Sequence, residues 1–242
     1  MKNSVHAGQV LETPYKSAAQ GRTFYVRQIT VADDPCFLDV AGFDYYLMRL
    51  SNCLPAYNIQ MHAFALLPDA IHLLLTPKST AGIRILVEMV NRYYREYCDN
   101  RHDVRRFEWQ SPVQVRPLLG NGLVLDCYKY IELMPVCTGL VKSPGQHHWT
   151  SYGMNGFGGH GNLLTMHPAY RELIRVGSPG FGTYRNFVAE PFSSLQEKFL
   201  NQIFTLGNKS LIDRGRRFFR LPFDSSHCPT LTKMNSCSAP TP

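Results

Sequence analysis

Apolar positions along the chain alternate between two periods, and the switches between them mark the elements. Thr23–Ile29 is β-branched and aromatic and predicts a strand. From Phe43 to Leu54, apolar residues at 43, 46, 47, 50 and 54 form a helical stripe, and Pro55 is expected to end it. Two apolar runs, Ile59–Leu66 and Ala70–Leu75, flank Leu67-Pro68-Asp69. They read as two strands around a tight turn, closed by Pro77. Apolar residues at 83, 86, 87, 90, 93, 94 and 97 predict a second amphipathic helix from Gly82 to Tyr97. The charged stretch from Asp99 to Arg106 reads as a loop. Val113–Leu119 alternates toward Gly120-Asn121-Gly122 and reads as a fourth strand. Leu123–Leu133 is a third helix, with Pro135 as its stop.

The order strand, helix, strand, strand, helix, strand is that of an α+β, ferredoxin-like βαββαβ core. Many functions use that core, so the order selects none of them. The wider organisation follows from composition. Residues 1–21 read as a loose leader and 22–153 as the core. Five glycines between Gly153 and Gly161 mark a Gly-rich linker over 154–162. A helical C-terminal extension over 163–222 is interrupted at Gly177–Gly182. Residues 223–242, rich in Pro, Ser and Thr, read as a disordered tail.

Of the 242 residues, 44% are hydrophobic and 18% charged, enough for a buried core. No apolar run approaches the roughly 18 residues that span a membrane. The first twenty residues lack an apolar h-region, so no signal peptide is expected and a cytoplasmic location is. Seven cysteines, an odd number without C-x-x-C spacing, argue against a disulfide framework or a zinc knuckle. A net charge of +7 favours an anionic partner, nucleic acid first.

Two basic groups are candidates for phosphate contact. Arg92, Arg95, Arg105, Arg106 and Arg116 interleave with Tyr93, Tyr94, Tyr97, Phe107 and Trp109. Arg214, Arg216 and Arg217 cluster further on, beside Lys209 and Arg220. Arginine on phosphate with aromatic stacking suits a single strand. A solvated helix face over core aromatics fits the first group equally well, because five acids share its segment. His147, His148 and His160 lack a matching ligand pair and read as surface histidines.

Four stretches carry a resemblance. The segment His62-Ala63-Phe64-Ala65-Leu66-Leu67-Pro68-Asp69-Ala70-Ile71-His72-Leu73-Leu74-Leu75 is similar to H-A-Y-V-L-M-P-N-H-x-H-L-L-x. Tyr128-Lys129-Tyr130-Ile131-Glu132-Leu133-Met134-Pro135-Val136 resembles Y-R-Y-I-E-L-N-P-V, with Gly139-Leu140-Val141 following it. Trp149-Thr150-Ser151-Tyr152 is similar to W-S-S-Y, and Leu163-Leu164-Thr165-Met166-His167-Pro168 to L-L-T-x-H-P. In order and spacing these resemble the single-tyrosine HUH transposases, in particular the REP-associated tyrosine transposases, over roughly residues 22–220.

The resemblance implies a ferredoxin-like core, a homodimer and a single-stranded or hairpin DNA partner. It implies Mg²⁺ or Mn²⁺ held by the two histidines of H-x-H and an Asn or Gln. It implies cleavage and rejoining of DNA through a 5′-phosphotyrosine link. Residues i and i+2 of a strand share a face, so H-x-H offers two imidazoles to one ion. The ion offsets charge on the phosphate oxygens. Tyrosine is a poor nucleophile unaided but a good leaving group, which suits reversible strand transfer.

Carried over residue by residue, Tyr130 takes the nucleophile position and His72 that of the second metal histidine. Tyr128 lies about 200° round the helix and faces elsewhere. Ala70 stands where the first histidine is expected, and Met134, one turn after Tyr130, where the Asn is expected. Alanine ligates nothing, and a thioether is too soft for Mg²⁺ or Mn²⁺. His62 lies on the neighbouring strand. The family's early R-G-N-x-R segment is here Gln28-Ile29-Thr30-Val31-Ala32. Two replaced ligands on one ion imply a site relaxed as a unit, with impaired transposase activity. A catalytically inactive DNA-binding regulator, or a decaying copy, is the competing reading. A protein-interaction module without DNA contacts is a third.

Overall fold

The structure is a computed structural model that describes residues 21–31, 34–101, 107–159, 163–175, 180–193 and 196. The elements are β1 (Phe24–Ile29), α1 (Val40–Ala56), β2 (Ile59–Leu67), β3 (Ala70–Pro77), α2 (Thr80–Asp99), β4 (Gln114–Pro117), α3 (Asn121–Cys137), α4 (Tyr152–Phe157), α5 (Pro168–Arg175) and α6 (Phe181–Ala189). A 3₁₀ turn, Pro144–Gln146, precedes α4. The chain is thus α+β.

The four strands form one antiparallel sheet in the order β2-β3-β1-β4. Pro68-Asp69 makes the turn between β2 and β3, with Leu67 opposite Ala70; proline pre-sets the φ such a turn needs. Helix α1 carries the chain from β1 to β2, and α2 from β3 to β4, each past one intervening strand.

Both faces of this sheet are covered, which explains why β2 and β3 read as nearly unbroken apolar runs. On one face, Val26, Phe64, Leu66, Ile71 and Leu73 pack with Tyr46 and Leu50 of α1 and Leu86, Val90 and Tyr94 of α2. On the other, Tyr25, Ala63, Ala65, Leu67, Ala70 and Leu74 pack with Cys127, Tyr128 and Ile131 of α3. The alanines leave room for the α3 backbone. Tyr170 of α5 and Tyr184 of α6 complete this second core, both fully buried.

The outer edge of β2 is closed by Trp149–Tyr152 and Thr165. Leu66 N–H donates to the Trp149 carbonyl at 2.9 Å, Ser151 N–H to the Phe64 carbonyl at 2.9 Å, and Thr165 N–H to the Met61 carbonyl at 2.8 Å. An otherwise unpaired edge is thereby satisfied.

Three expectations need correction. Pro55 does not end α1 and Pro135 does not end α3; both lie inside the last turn. There a missing donor costs one bond, and the terminal carbonyls find other partners: Thr138 Oγ1 donates to the Met134 carbonyl at 3.0 Å. The glycine-rich stretch is not a plain linker, because Tyr152–Phe157 is helix α4, with Asn155 and Gly156 buried. A Cβ on Gly156 would stand 3.4 Å from Arg185 Cγ of α6, and Gly158 takes a left-handed φ of 88° at the end of α4. These glycines admit close packing and a turn rather than motion.

The leader before residue 21 lies outside the described residues, as do Arg105, Arg106, Arg214, Arg216, Arg217, His160 and the tail. Cys36, Cys53, Cys98, Cys127 and Cys137 are free thiols, and Cys36, Cys98 and Cys127 are buried. No described helix is long and apolar enough to cross a membrane.

Gly158→Ala tests the corrected view of the glycine stretch. A Cβ there would collide with the Phe181 ring, at a φ that L-residues avoid. The substitution should destabilise the protein by about 1–3 kcal/mol, read as a lowered Tm. In a plain linker it would leave the Tm unchanged.

Candidate functional site

Residues facing α3 alternate along each strand, and pairing aligns them in rows. In one row His72 of β3 is opposite Arg27 of β1, and Arg27 is opposite Gln114 of β4. In the next, Leu74, Tyr25 and Arg116 are aligned in the same way. Helix α3 presses Tyr130 onto these rows. Its ring centroid is 6.2 Å from that of His72 and 6.0 Å from that of Tyr25, edge-on to both.

Sequence resemblance pairs Tyr130 with His72, and the fold brings them together. Tyr128 points away, as helical geometry requires: it is fully buried and stacks on Tyr170 at 5.6 Å. The Tyr25 hydroxyl and His72 Nδ1 are 2.7 Å apart and hydrogen-bonded. Tyr25 also shares a side-chain hydrogen bond with Tyr130. The three residues form a polar chain, Tyr130–Tyr25–His72, under α3.

Burial sets the protonation states here. It pushes the Tyr130 and Tyr25 phenols up, so both are neutral at ordinary pH. The Arg27 guanidinium acts in the opposite direction on each, favouring the phenolate. Burial also holds the His72 imidazole well below its ordinary pKa, and the charge of Arg27 lowers it further. His72 is therefore neutral. Its Nε2 is buried and has no hydrogen-bond partner, and neither does Arg27 Nε.

These residues do not fit Mg²⁺ or Mn²⁺. Such ions want several converging hard donors, mostly oxygens. Ala70 contributes none. Met134 is 1% exposed, its thioether part of the second core. Among the described residues no group of three or more His, Cys, Asp or Glu could hold a metal. His62 does not compensate. It lies at a bulge of β2 between Met61 and Ala63. It bonds the Thr165 carbonyl at 2.7 Å and Thr76 Oγ1 at 2.8 Å. Thr76 is about 13 Å along β3 from His72.

The basic candidates separate. Arg92 and Arg95 are exposed on α2, which covers the opposite face of the sheet. Arg92 pairs with Glu96 at 3.8 Å and lies over the Tyr93 ring. Arg116 alone among the described candidates shares the face of Tyr130. His148 is exposed as expected, whereas His147 is half-buried and its Nε2 lies 2.7 Å from the Leu66 carbonyl.

Tyr25, Arg27 and Glu132 are not singled out by sequence reasoning. For Arg27 and Glu132 a signal existed, a charged residue inside an apolar strand or helix run. Glu132 is fully buried on the far side of α3 from Tyr130. Its Oε1 accepts from Ser151 Oγ at 2.9 Å, Asn155 Nδ2 at 3.0 Å and the Tyr184 hydroxyl at 3.0 Å. Burial pushes its carboxyl up to about 7, against the pull of these three donors. The Y-I-E-L and W-T-S-Y stretches are thus joined by a buried hydrogen bond, which is architecture rather than chemistry.

No family model matches the chain, and no curated protein matches it. Among solved structures, the chain is similar to one described as the REP-associated tyrosine transposase bound to a REP hairpin. The likeness has a TM-score of 0.49 at 13% identity, covering 56% of this chain and 79% of that one.

Glu132 predicts a pH dependence of stability. Its folded pKa lies above the unfolded value, so its stabilising contribution is complete below the unfolded pKa and is lost as pH rises through about 7. Each unit crossed costs roughly 1.4 kcal/mol. His62, held down at about 4 by burial, works the other way: its contribution is lost as pH falls from its ordinary value toward 4. Glu132→Gln keeps the Oε1 acceptor. Its Tm minus that of the native protein should rise between about pH 5 and 7, while the histidine limb is common to both. A difference that does not rise over that range would contradict the assignment.

Proposed function

We propose that this protein is a DNA-binding, transposase-like protein on a ferredoxin-like HUH scaffold, with strand cleavage impaired. The observation that carries this reading is the seating of Tyr130 of α3 against His72 of β3, ring centroids 6.2 Å apart. Two residues remote in sequence and matched by separate motifs meet at one place. The element order and the strand order β2-β3-β1-β4 support the scaffold.

Impairment follows from the donor set. With Ala70 and Met134 at the other ligand positions, the divalent cation lacks two protein ligands. Removal of even one outer-shell partner typically costs about 10–100-fold in metal affinity or activity. The remaining chemistry is recognition. Arg116 and Arg27 offer cationic groups on the Tyr130 face, and the polar chain Tyr130–Tyr25–His72 keeps the phenol ordered. The DNA class is single-stranded or hairpin DNA, as the resemblance implies, and arginine contacts to phosphate suit it.

The test is a labelled single-stranded hairpin oligonucleotide incubated with Mn²⁺, compared between the native protein and Tyr130→Phe. The native protein should bind in a salt-dependent way, log K falling linearly with log salt, and leave no denaturation-resistant adduct. An adduct present in the native protein and absent from Tyr130→Phe would show a live enzyme and overturn the impairment. Salt-independent association, or none, would overturn DNA binding.

A further inference from the structure

Arg27 is a charged side chain in the middle of the sheet. It is 4% exposed, and its Nε has no hydrogen-bond partner. No carboxylate pairs with it among the described residues. Glu132, the buried acid of α3, is spent on Ser151, Asn155 and Tyr184. A buried cation without a counter-charge is costly even after relaxation. Directly across the strand pair, His72 is 1% exposed, and its buried Nε2 is equally without a partner. Two orphaned nitrogens from adjacent strands face the same side, next to Tyr130. Beside them Gln114 and Arg116 are half-buried on the edge strand β4, so exposure rises along the row toward the sheet edge.

We propose that Arg27 takes the place of the divalent cation, and that Arg27 and His72 Nε2 bind a DNA phosphodiester beside Tyr130 without metal. The proposal rests on the DNA-binding reading above and deepens it. A guanidinium supplies the positive charge and planar donors that suit phosphate oxygens. With the Tyr25 hydroxyl donating to His72 Nδ1, the imidazole proton sits on Nε2 and is given to a phosphate oxygen. Arg116, in the next row, meets the neighbouring phosphate. Ala70 and Met134 in the expected ligand positions and an unpaired buried cation beside them are then one change: the metal's charge is carried by the protein.

The experiment measures binding of the labelled hairpin oligonucleotide in EDTA and in Mn²⁺, for the full chain and for Arg27→Met, Arg27→Lys and His72→Gln. Native affinity should be the same in both buffers. Arg27→Met should weaken binding about tenfold or more and reduce the salt slope by about one. Arg27→Lys should retain part of the affinity. In phosphate-free buffer the Tm of Arg27→Met should equal or exceed the native value, since it removes an unpaired buried charge; a residue with a structural role alone would lower it. If Arg27→Met does not fold, weakened binding by His72→Gln carries the same prediction. Binding abolished by EDTA would overturn the proposal, as would native affinity in the folded Arg27→Met protein. If the native protein binds no DNA in either buffer, the DNA reading fails, and inorganic phosphate decides separately. A Tm raised by phosphate in EDTA in the native protein but not in Arg27→Met would keep the anion site; no rise would remove it too.

Discussion

Glu132 Oε1 accepts hydrogen bonds from Ser151, Asn155 and Tyr184, and these residues belong to the β2 edge segment, α4 and α6. Ser151 in turn accepts from Phe64 N–H at 2.9 Å, so the carboxyl of α3 is tied to β2 through one hydroxyl. In a low-dielectric interior each of these bonds is strong, and each partner left alone would be costly. The arrangement therefore admits one placement of α3 over the alanines of the second face. That placement in turn sets Tyr130 over Tyr25 and His72 on the other side of the same helix.

The second face is more polar than the first. Tyr25, Arg27 and His72 lie on it beneath α3, whereas the face under α1 and α2 is filled mainly by aliphatic and aromatic side chains, with the uncharged Gln28 and Asn91 among them. A stable fold needs only the first kind of face. Retention of Arg27 and of the His72 imidazole, both with an orphaned nitrogen, is a local conflict with stability. Such conflicts are expected where a fold serves a ligand. Covering the other face by α5 and α6 also changes what the chain beyond α3 is for. Tyr170 and Tyr184 are core residues of the same body, and the interval between them and the sheet carries packing glycines.

Much of this was legible in the sequence. The periods of apolar residues located β1 to β4 and α1 to α3 within a few residues, because burial imposes a period of two on strands and near 3.6 on helices. The prolines misled at Pro55 and Pro135, since the rule that proline ends a helix applies to its interior and both lie in a last turn. Glycine count misled at 154–162, because composition reports conformational freedom and not the contacts that remove it. The motif stretches named Tyr130 and His72 but mixed them with residues such as Glu132 and Ser151, whose task is to hold elements together.

The sequence by itself determined β1 to β4 and α1 to α3, the α+β order and the substitutions Ala70 and Met134, because each is a local property of residue type and spacing. Only the tertiary structure decided which residues meet. Strand register placed Arg27 opposite His72, the Glu132 network set the depth of α3, and the sheet separated Arg92 and Arg95 from Tyr130 by its own thickness. Those are distances between segments remote along the chain, fixed by pairing and burial, and no local pattern encodes them.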